Sequence, residues 1–330
     1  MRVVLLSGGT GRRLWPISGE QAAKQFLRLM PHGESMLERM LRQLKSAGLA
    51  EQITIVTGNE QHEILREQLG KLPATVLVEP IRRNTFPAVA LACAHLSWRQ
   101  NVPPNETVLV LPIDSYVNDD YFQLLAGIEA AMERDAADIF LVGATPTYPS
   151  QKYGYILPQK HGAIAEVCAF YEKPNESAAT EYIKQGALWN CGVVAFRLGF
   201  FTARYLQPNE ADPPGAAYEA LEDAYSSLEE NSFDRVVLEK NANMRVVRYD
   251  GAWMDVGTWN TLADVLDKPA HGNVRMDASS QNTHVINTRE TPVVVMGARD
   301  MIVVVSEKGV LVADKTRSSF VLEMLDDSAQ

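Results

Sequence analysis

The chain has 330 residues, 46% hydrophobic and 22% charged, which is ample for one large domain plus a smaller one. Its 31 basic and 41 acidic residues leave a net charge of −10, so a surface that coats nucleic acid or an anionic membrane is not expected. The three cysteines form no CxxC pair and the six histidines no HxxxH spacing, which argues against a disulfide framework and against a thiolate or imidazole metal site.

The first apolar run, Val3 to Leu6, is too short for a signal peptide or a membrane span, and a reduced, cytoplasmic protein is expected. That run, with Ile53 to Val56, Thr75 to Val78, Val108 to Leu111 and Ile139 to Val142, reads as a set of buried strands. Between them, Met36, Leu37, Met40, Leu41 and Leu44 repeat at helical spacing, and Ala88 to Trp98 is a second apolar helix. The alternation predicts an α/β fold, a Rossmann-like mixed and mostly parallel sheet with helices on both faces. Gly154 to Pro158 and Ile164 to Tyr171 predict a hairpin added to that sheet, followed by helices over Glu176 to Gly186 and Gly215 to Glu230. Short β runs then follow at Thr283 to Asn287, Pro292 to Met296, Met301 to Ser306 and Val310 to Ala313, punctuated by Gly297, Asp300 and Gly309. They predict a small C-terminal β domain, a compact sheet or β-helix. Pro269 and Gly272 set the boundary, giving a catalytic domain over 1–268 and a β domain over 269–330.

The most informative segment, Ser7 to Leu14, follows the first strand. Gly8, Gly9 and Gly11 allow backbone N–H groups to approach phosphate oxygens, and Thr10, Arg12 and Arg13 add polar and cationic contacts. Arg2, Arg12, Arg13, Lys24 and Arg28, with only Glu20 against them, form a basic N-terminal stretch in an acidic chain. A dinucleotide fingerprint would need glycine where Leu14 stands, and a P-loop would need GK[ST]; both are excluded. A tight turn with surface arginines remains the plainer reading of the loop taken alone.

Gly8 to Pro16, followed by Lys24-Gln25-Phe26-Leu27, resembles the signature of the mannose-1-phosphate guanylyltransferases, within the wider sugar nucleotidyltransferases. The resemblance implies that the glycines and Arg13 hold the phosphates of GTP and that Lys24 contacts the phosphates undergoing exchange. Further segments match the family's order up to Trp259. Glu79-Pro80-Ile81-Arg82-Arg83-Asn84-Thr85 is similar to EPxxRNT, which lines the nucleotide side; Asn84 and Thr85 also suit a helix N-cap. Asp114, after the run Val108 to Ile113, resembles the aspartate of LPADH, and Asp255, between Met254 and Val256, the family's second carboxylate. Together they imply a Mg2+ site of two carboxylates completed by phosphate oxygens and water. On the sugar side, Tyr153-Gly154-Tyr155-Ile156 resembles the GYGYI turn, Glu172-Lys173-Pro174 the EKP motif, and Trp189-Asn190-Cys191-Gly192 the WNSG motif. The implied roles are close backbone approach at Gly154, hydroxyl binding by Glu172 and Asn190, and a phosphate grip by Lys173.

The sequence departs from the pattern at Ala23, Ser115, Phe86 and Cys191. Phe86, next to the implied base site, bears on guanine selectivity. The sequence given ends at Gln330 without a following isomerase domain, so the short monofunctional form is expected. The reaction implied is attack by mannose 1-phosphate on the α-phosphorus of GTP, assisted by Mg2+, giving GDP-mannose and pyrophosphate. A homodimer is expected; the apolar run Met301 to Val305 is one source of a contact face, and packing of that run on its own domain is the equal alternative. A different base and sugar, such as thymidine triphosphate with glucose 1-phosphate, and a non-catalytic sugar-nucleotide sensor stay open as alternatives.

Overall fold

Alternation along the first strand sets the architecture. In the computed structural model, which describes residues 1–9, 11–19, 23–160, 162–206 and 213–326, that strand is β1 (Arg2–Ser7). Val3 and Leu5 pack into one core and Val4 into another, because successive strand residues face opposite sides of a sheet. Helix α1 (Met36–Ser46), β2 (Ile53–Gly58), α2 (His62–Leu69), β3 (Ala74–Glu79), α3 (Thr85–Ala94) and β4 (Thr107–Pro112) follow. Ser35 caps α1 in a reciprocal capping box with Glu38, and the helix buries Leu37, Met40, Leu41 and Leu44 against the Val3/Leu5 face. Helix α3 is apolar on every side and is buried from Pro87 to Ala94 on the Val4 face. Helices therefore cover both faces, as expected.

The chain continues through β5 (Ser115–Val117), α4 (Asp119–Ala126), α5 (Ile128–Met132), β6 (Ile139–Ala144), β7 (Tyr155–Pro158), β8 (Ile164–Tyr171), α6 (Glu176–Lys184), β9 (Leu188–Arg197), α7 (Leu198–Phe201), α8 (Pro214–Ala224), β10 (Met244–Tyr249), β11 (Trp253–Asp255) and α9 (Trp259–Ala263). The main sheet has the order β3-β2-β1-β4-β9-β6-β10-β8-β7. Parallel pairing joins β3, β2, β1 and β4, and separately β6 with β10. The sheet is mixed, as expected, with seven of its nine strands running one way and β8 and β9 against them. Strand β9 runs antiparallel between β4 and β6, and the β7–β8 hairpin adds antiparallel pairs to β9 and β10. Strand β9 follows the hairpin and α6 and returns through the centre of the sheet, which splits the parallel set. The carboxyl ends of β1, β3 and β4 open on the same edge, where ligands bind in such sheets.

The C-terminal strands are β12 (Ala270–His271), β13 (Val274–Met276), β14 (His284–Asn287), β15 (Val293–Val295), β16 (Met301–Ser306) and β17 (Gly309–Asp314), before helix α10 (Val321–Asp326). β12, β14 and β16 pair in parallel, as do β13 and β15, and β17 turns back antiparallel on β16. These strands pack on the N-terminal loop. Ile286, Ile302 and Val304 share a core with Leu14, Met36 and Trp259, the Trp259 indole donates to the Trp15 carbonyl at 2.8 Å, and Ser306 Oγ donates to the Pro16 carbonyl at 2.9 Å. In the run Met301 to Val305, Ile302 and Val304 are fully buried within the chain while Met301, Val303 and Val305 stay partly exposed, because alternate residues of β16 point inward. Cys93, Cys168 and Cys191 are free, and no helix among the described residues is long and apolar enough to cross a membrane.

Candidate active site

Two pockets open on the carboxyl edge of the sheet and meet at Asp114. One is a cavity of about 330 Å³ bounded by the ends of β1, β3 and β4 and by α3. Gly8, Gly9, Glu79, Asn84, Thr85 and Asp114 line it, among Val56, Ala88, Val89, Val110 and Val194. The other, about 190 Å³, lies over β9 and β11 and is lined by Gly154, Glu172, Lys173, Asn190, Asp114 and Asp255. Asp234 borders both.

At the border a short ribbon solves a problem of sequence distance. Asp114 lies just beyond β4 and directly before β5, and β5 pairs antiparallel with β11 so that Ser115 stands opposite Asp255. The two aspartates converge on one ammonium: Lys24 Nζ is 2.8 Å from Asp114 Oδ2 and 3.5 Å from Asp255 Oδ1, and it donates to the Val256 carbonyl at 2.9 Å. Lys24 is 7% exposed, whereas each aspartate side chain keeps 35% exposure toward the cleft. Burial alone would lower the Lys24 pKa, but the charges of Asp114 and Asp255 outweigh it and the net shift is upward. For Asp114, burial pushes upward and Lys24 pulls downward more strongly, so the carboxyl is held below its ordinary range. Both groups are therefore ionised at neutral pH.

The glycine loop is anchored from beneath. Gly11, at φ 62°, could carry no side chain, because a Cβ there would lie 2.5 Å from the Lys24 backbone nitrogen. Gln25 and Gln61 both donate to the Gly9 carbonyl, at 3.3 and 2.9 Å, and Gln25 also donates to Gln61 at 3.1 Å. Arg82 donates to the Gly8 carbonyl at 3.0 Å and pairs with Glu60. Thr10 lies outside the described residues. Arg12 and Arg13 are exposed. Arg13 acts electrostatically on Lys24 and Asp114, and a Cβ on Gly257 would lie 3.7 Å from its guanidinium and 3.5 Å from Asp255 Oδ1. The basic stretch does not gather as one cluster. Arg2 starts β1 at the opposite edge of the sheet beside Glu106, and Arg28 pairs with Glu38.

Turn β3–α3 splits the expected nucleotide contacts. Glu79 ends β3 buried, its carboxylate accepting the Tyr225 hydroxyl at 2.7 Å, and burial raises its pKa despite that bond and the charge of Arg82. Asn84 caps α3 by accepting from the Thr85 N–H at 2.8 Å, and its own φ of 72° turns the chain. Arg83 is directed away, donating to the Ser226 carbonyl, and does not line the cavity; Arg82 does. Phe86 also leaves the cavity, packing against Phe201 and Tyr205 at ring distances of 6.1 and 5.9 Å. The Thr85 hydroxyl accepts from the Phe233 N–H at 2.8 Å, tying the segment that carries Asp234 to the start of α3.

In the second pocket, Gly154 is needed for space: a Cβ there would lie 2.9 Å from both Glu172 Oε2 and Phe170 Cζ. Lys173 pairs with Glu172, its backbone held at φ 46°, a left-handed conformation that costs a lysine about 1–3 kcal/mol. Asn190 donates to Asp234 Oδ1 at 2.9 Å and accepts from the Gly192 N–H at 3.1 Å, so its amide orientation is fixed. Burial, then the charge of Glu172, pushes the Asp234 carboxyl up to about 6. Asp234, Gln25, Gln61 and Arg82 are site residues that sequence reasoning missed. Gln25 and Arg82 stand inside quoted motifs, but Asp234 sits in Ser232-Phe233-Asp234-Arg235, which carries no local signal.

No cluster of three or more potential metal-ligating side chains exists among the described residues. The convergent pair Asp114 and Asp255 nevertheless suits Mg2+, which takes one or two carboxylates and completes its shell with phosphate and water.

Comparison with known proteins agrees with this layout. The nucleotidyl transferase family profile matches residues 2–271. The xanthan biosynthesis protein XanB of Xanthomonas campestris is 34% identical, over 98% of this chain and 72% of that protein. A mannose-1-phosphate guanylyltransferase of Escherichia coli is 32% identical, over 98% of this chain and 73% of that one. A crystal structure of mannose-1-phosphate geranyltransferase from Thermus thermophilus superposes with a TM-score of 0.83 at 29% identity, covering 100% of this chain and 99% of that one.

Proposed function

The chain belongs to the nucleotidyl transferase family, and on that premise we propose that it joins GTP and mannose 1-phosphate into GDP-mannose with release of pyrophosphate. In the reaction, a phosphate oxygen of the sugar phosphate bonds to the α-phosphorus of GTP. The bond from that phosphorus to the bridging oxygen breaks, and its electron pair leaves with pyrophosphate. The attacking oxygen is already anionic, so no general base is needed. The chemical demand is to bring two anions together, which positioning and charge stabilisation must meet.

One observation carries the reading: the buried Lys24 joins Asp114, which lines both pockets, to Asp255, which lines the sugar-side one. Asp114 and Asp255 would hold Mg2+, which when bound neutralises charge on the reacting phosphates. Lys24 lies beneath the two carboxylates and offsets their charge, and Arg13 adds positive potential from the loop side. Glu79 supports guanine. A buried carboxylate accepts hydrogen bonds, and guanine offers two adjacent donors on one edge where thymine and uracil offer a single N–H. Glu172 and Asn190 supply fixed polar groups for sugar hydroxyls, and the names of the related proteins favour mannose.

A panel of nucleoside triphosphates and sugar 1-phosphates, scored by pyrophosphate release with and without Mg2+, tests the proposal. GTP with mannose 1-phosphate should give the highest kcat/KM, and only with the metal. A preference for thymidine triphosphate and glucose 1-phosphate would overturn the base and sugar assignment. Tight GDP-mannose binding with no turnover under any pairing would make the protein a sensor.

A further inference from the structure

The cations of the sugar-side pocket are not equally free to meet a phosphate. Lys24 is engaged by Asp114 and Asp255, and Lys173 by Glu172. Lys24 lies behind its aspartates, while Lys173 lines this pocket together with a further lysine, Lys152. Among the described residues its side chain has no ion pair or hydrogen bond, while its backbone is firmly placed. Its N–H donates to Ser150 Oγ at 3.1 Å, and the Ser150 carbonyl accepts the buried Tyr155 hydroxyl at 2.9 Å. Ser150 itself is 3% exposed, and the neighbouring Tyr148 ring stands edge-on to Trp189 at 5.0 Å. The turn is therefore pinned on both sides of Ser150 and carries an uncommitted ammonium to the rim of the pocket.

We propose that Lys152 binds the phosphate of the sugar 1-phosphate. This role rests on the functional reading above and adds a residue to it. A phosphate monoester is a dianion at neutral pH, and the pocket's own carboxylates Asp114, Glu172, Asp234 and Asp255 repel it. Lys24 is taken by Asp114 and Asp255, where Mg2+ would also bind, and Lys173 is taken by Glu172, so among the described residues Lys152 is the lysine of this pocket left without a carboxylate partner. It is a flexible, strongly hydrated point charge that closes on the phosphate after the sugar has entered. The role is binding, not bond-making, so it is read in the sugar-phosphate KM.

The test uses Lys152→Ala, Lys152→Arg and, as a control for net charge, Lys160→Ala, whose exposed lysine lies outside the pocket. Lys152→Ala should raise the KM for mannose 1-phosphate roughly tenfold, the scale of one charge-assisted hydrogen bond, with KM for GTP unchanged and kcat within about twofold. Lys152→Arg should recover most of the loss, and Lys160→Ala should behave as wild type. An unchanged sugar-phosphate KM in Lys152→Ala overturns the proposal, and so does a shift that falls on GTP. Titration of wild type and Lys152→Ala with inorganic phosphate gives a readout independent of turnover. If wild type turns over no sugar phosphate yet binds inorganic phosphate through Lys152, the functional reading fails and the anion site stands. Equal phosphate binding by both proteins removes the site.

Discussion

The two pockets that share Asp114 treat charge in opposite ways. The cavity at the ends of β1, β3 and β4 is walled by valines and alanines, with Glu79 as its buried carboxylate. The pocket over β9 and β11 is lined largely by polar groups, most of them already paired: Lys173 with Glu172, Asn190 with Asp234, and Asp114 and Asp255 with the buried Lys24 behind them. A flat heterocycle can be selected by shape and one hydrogen-bonding edge, so an apolar slot suffices. A phosphorylated sugar is recognised by hydroxyl directions and charge, so its side needs fixed dipoles and balanced ions. Specificity for the two substrates is therefore physically separable, and only residues on the border should affect both.

Lys24→Ala tests the border and should have the largest effect. Losing one preorganised transition-state cation costs roughly 100-fold to 1,000-fold in kcat, and here both substrates should be affected together. Steady-state kinetics with each substrate varied in turn will show it. A change confined to one substrate's KM would move Lys24 off the border and dissolve the contrast between the pockets.

Glu79→Gln should act on the nucleotide side alone. Replacing a charged acceptor by a neutral amide removes a charge-assisted bond, so kcat/KM for GTP should fall roughly tenfold to 100-fold while KM for mannose 1-phosphate stays put. The same variant should narrow the gap between GTP and other triphosphates in a substrate panel. Loss of sugar affinity instead would mean that the slot is not the base site.

Asp234→Asn sharpens the sugar side through pH. Its carboxyl titrates at about 6 in the folded chain, above the ordinary 3.8, so the native state holds that proton more tightly than the unfolded chain does. The resulting stability is present below about pH 4 and is lost as pH rises through about 6. Its size is about 2–3 kcal/mol by linkage for a shift of this order. Thermal unfolding from about pH 4 to 7 should show this fall in wild type and not in Asp234→Asn. The variant keeps an oxygen that accepts from the Asn190 amide but makes it a neutral acceptor, so the bond weakens and kcat/KM for mannose 1-phosphate should fall by about twofold. An identical pH dependence of unfolding in both proteins would contradict the assignment.

Much of this layout is legible in the sequence, and the failures have physical causes. Strands with uniform apolar runs, such as Ile53–Gly58 and Ile139–Ala144, stand out to within a residue or two, because burial on both faces leaves an unbroken pattern. Strand β9 is visible only as a motif: Asn190 and Gly192 interrupt its apolar run where it reaches the site. Asp114 and Asp255 can be identified singly, but their meeting depends on the β5–β11 ribbon, whose three-residue strands carry no periodicity. Arg82 and Arg83 are indistinguishable as letters. The φ of 72° at Asn84 belongs to the turn that sends one toward the glycine loop and the other toward Ser226. Lys152 escapes a motif reading because the resemblance to GYGYI begins at Tyr153, and its importance comes from what its neighbours are already paired with.

Tyr225→Phe gives the smallest effect and the finest test of the apolar slot. The hydroxyl donates to Glu79 at 2.7 Å and, with Arg82, opposes the burial that raises the Glu79 pKa. Removing it leaves burial less opposed, so the carboxyl should keep its proton to higher pH. A protonated Glu79 presents one donor where guanine needs acceptors, so the acid limb of the GTP profile should move upward in pH. At neutral pH the loss of one hydrogen bond, about 1 kcal/mol, corresponds to roughly fivefold in kcat/KM for GTP. The mannose 1-phosphate KM should not respond, because Tyr225 does not line the second pocket. A GTP profile whose acid limb stays in place would show that Tyr225 packs the slot without tuning its carboxylate. The separation of the two pockets would then rest on Glu79→Gln alone.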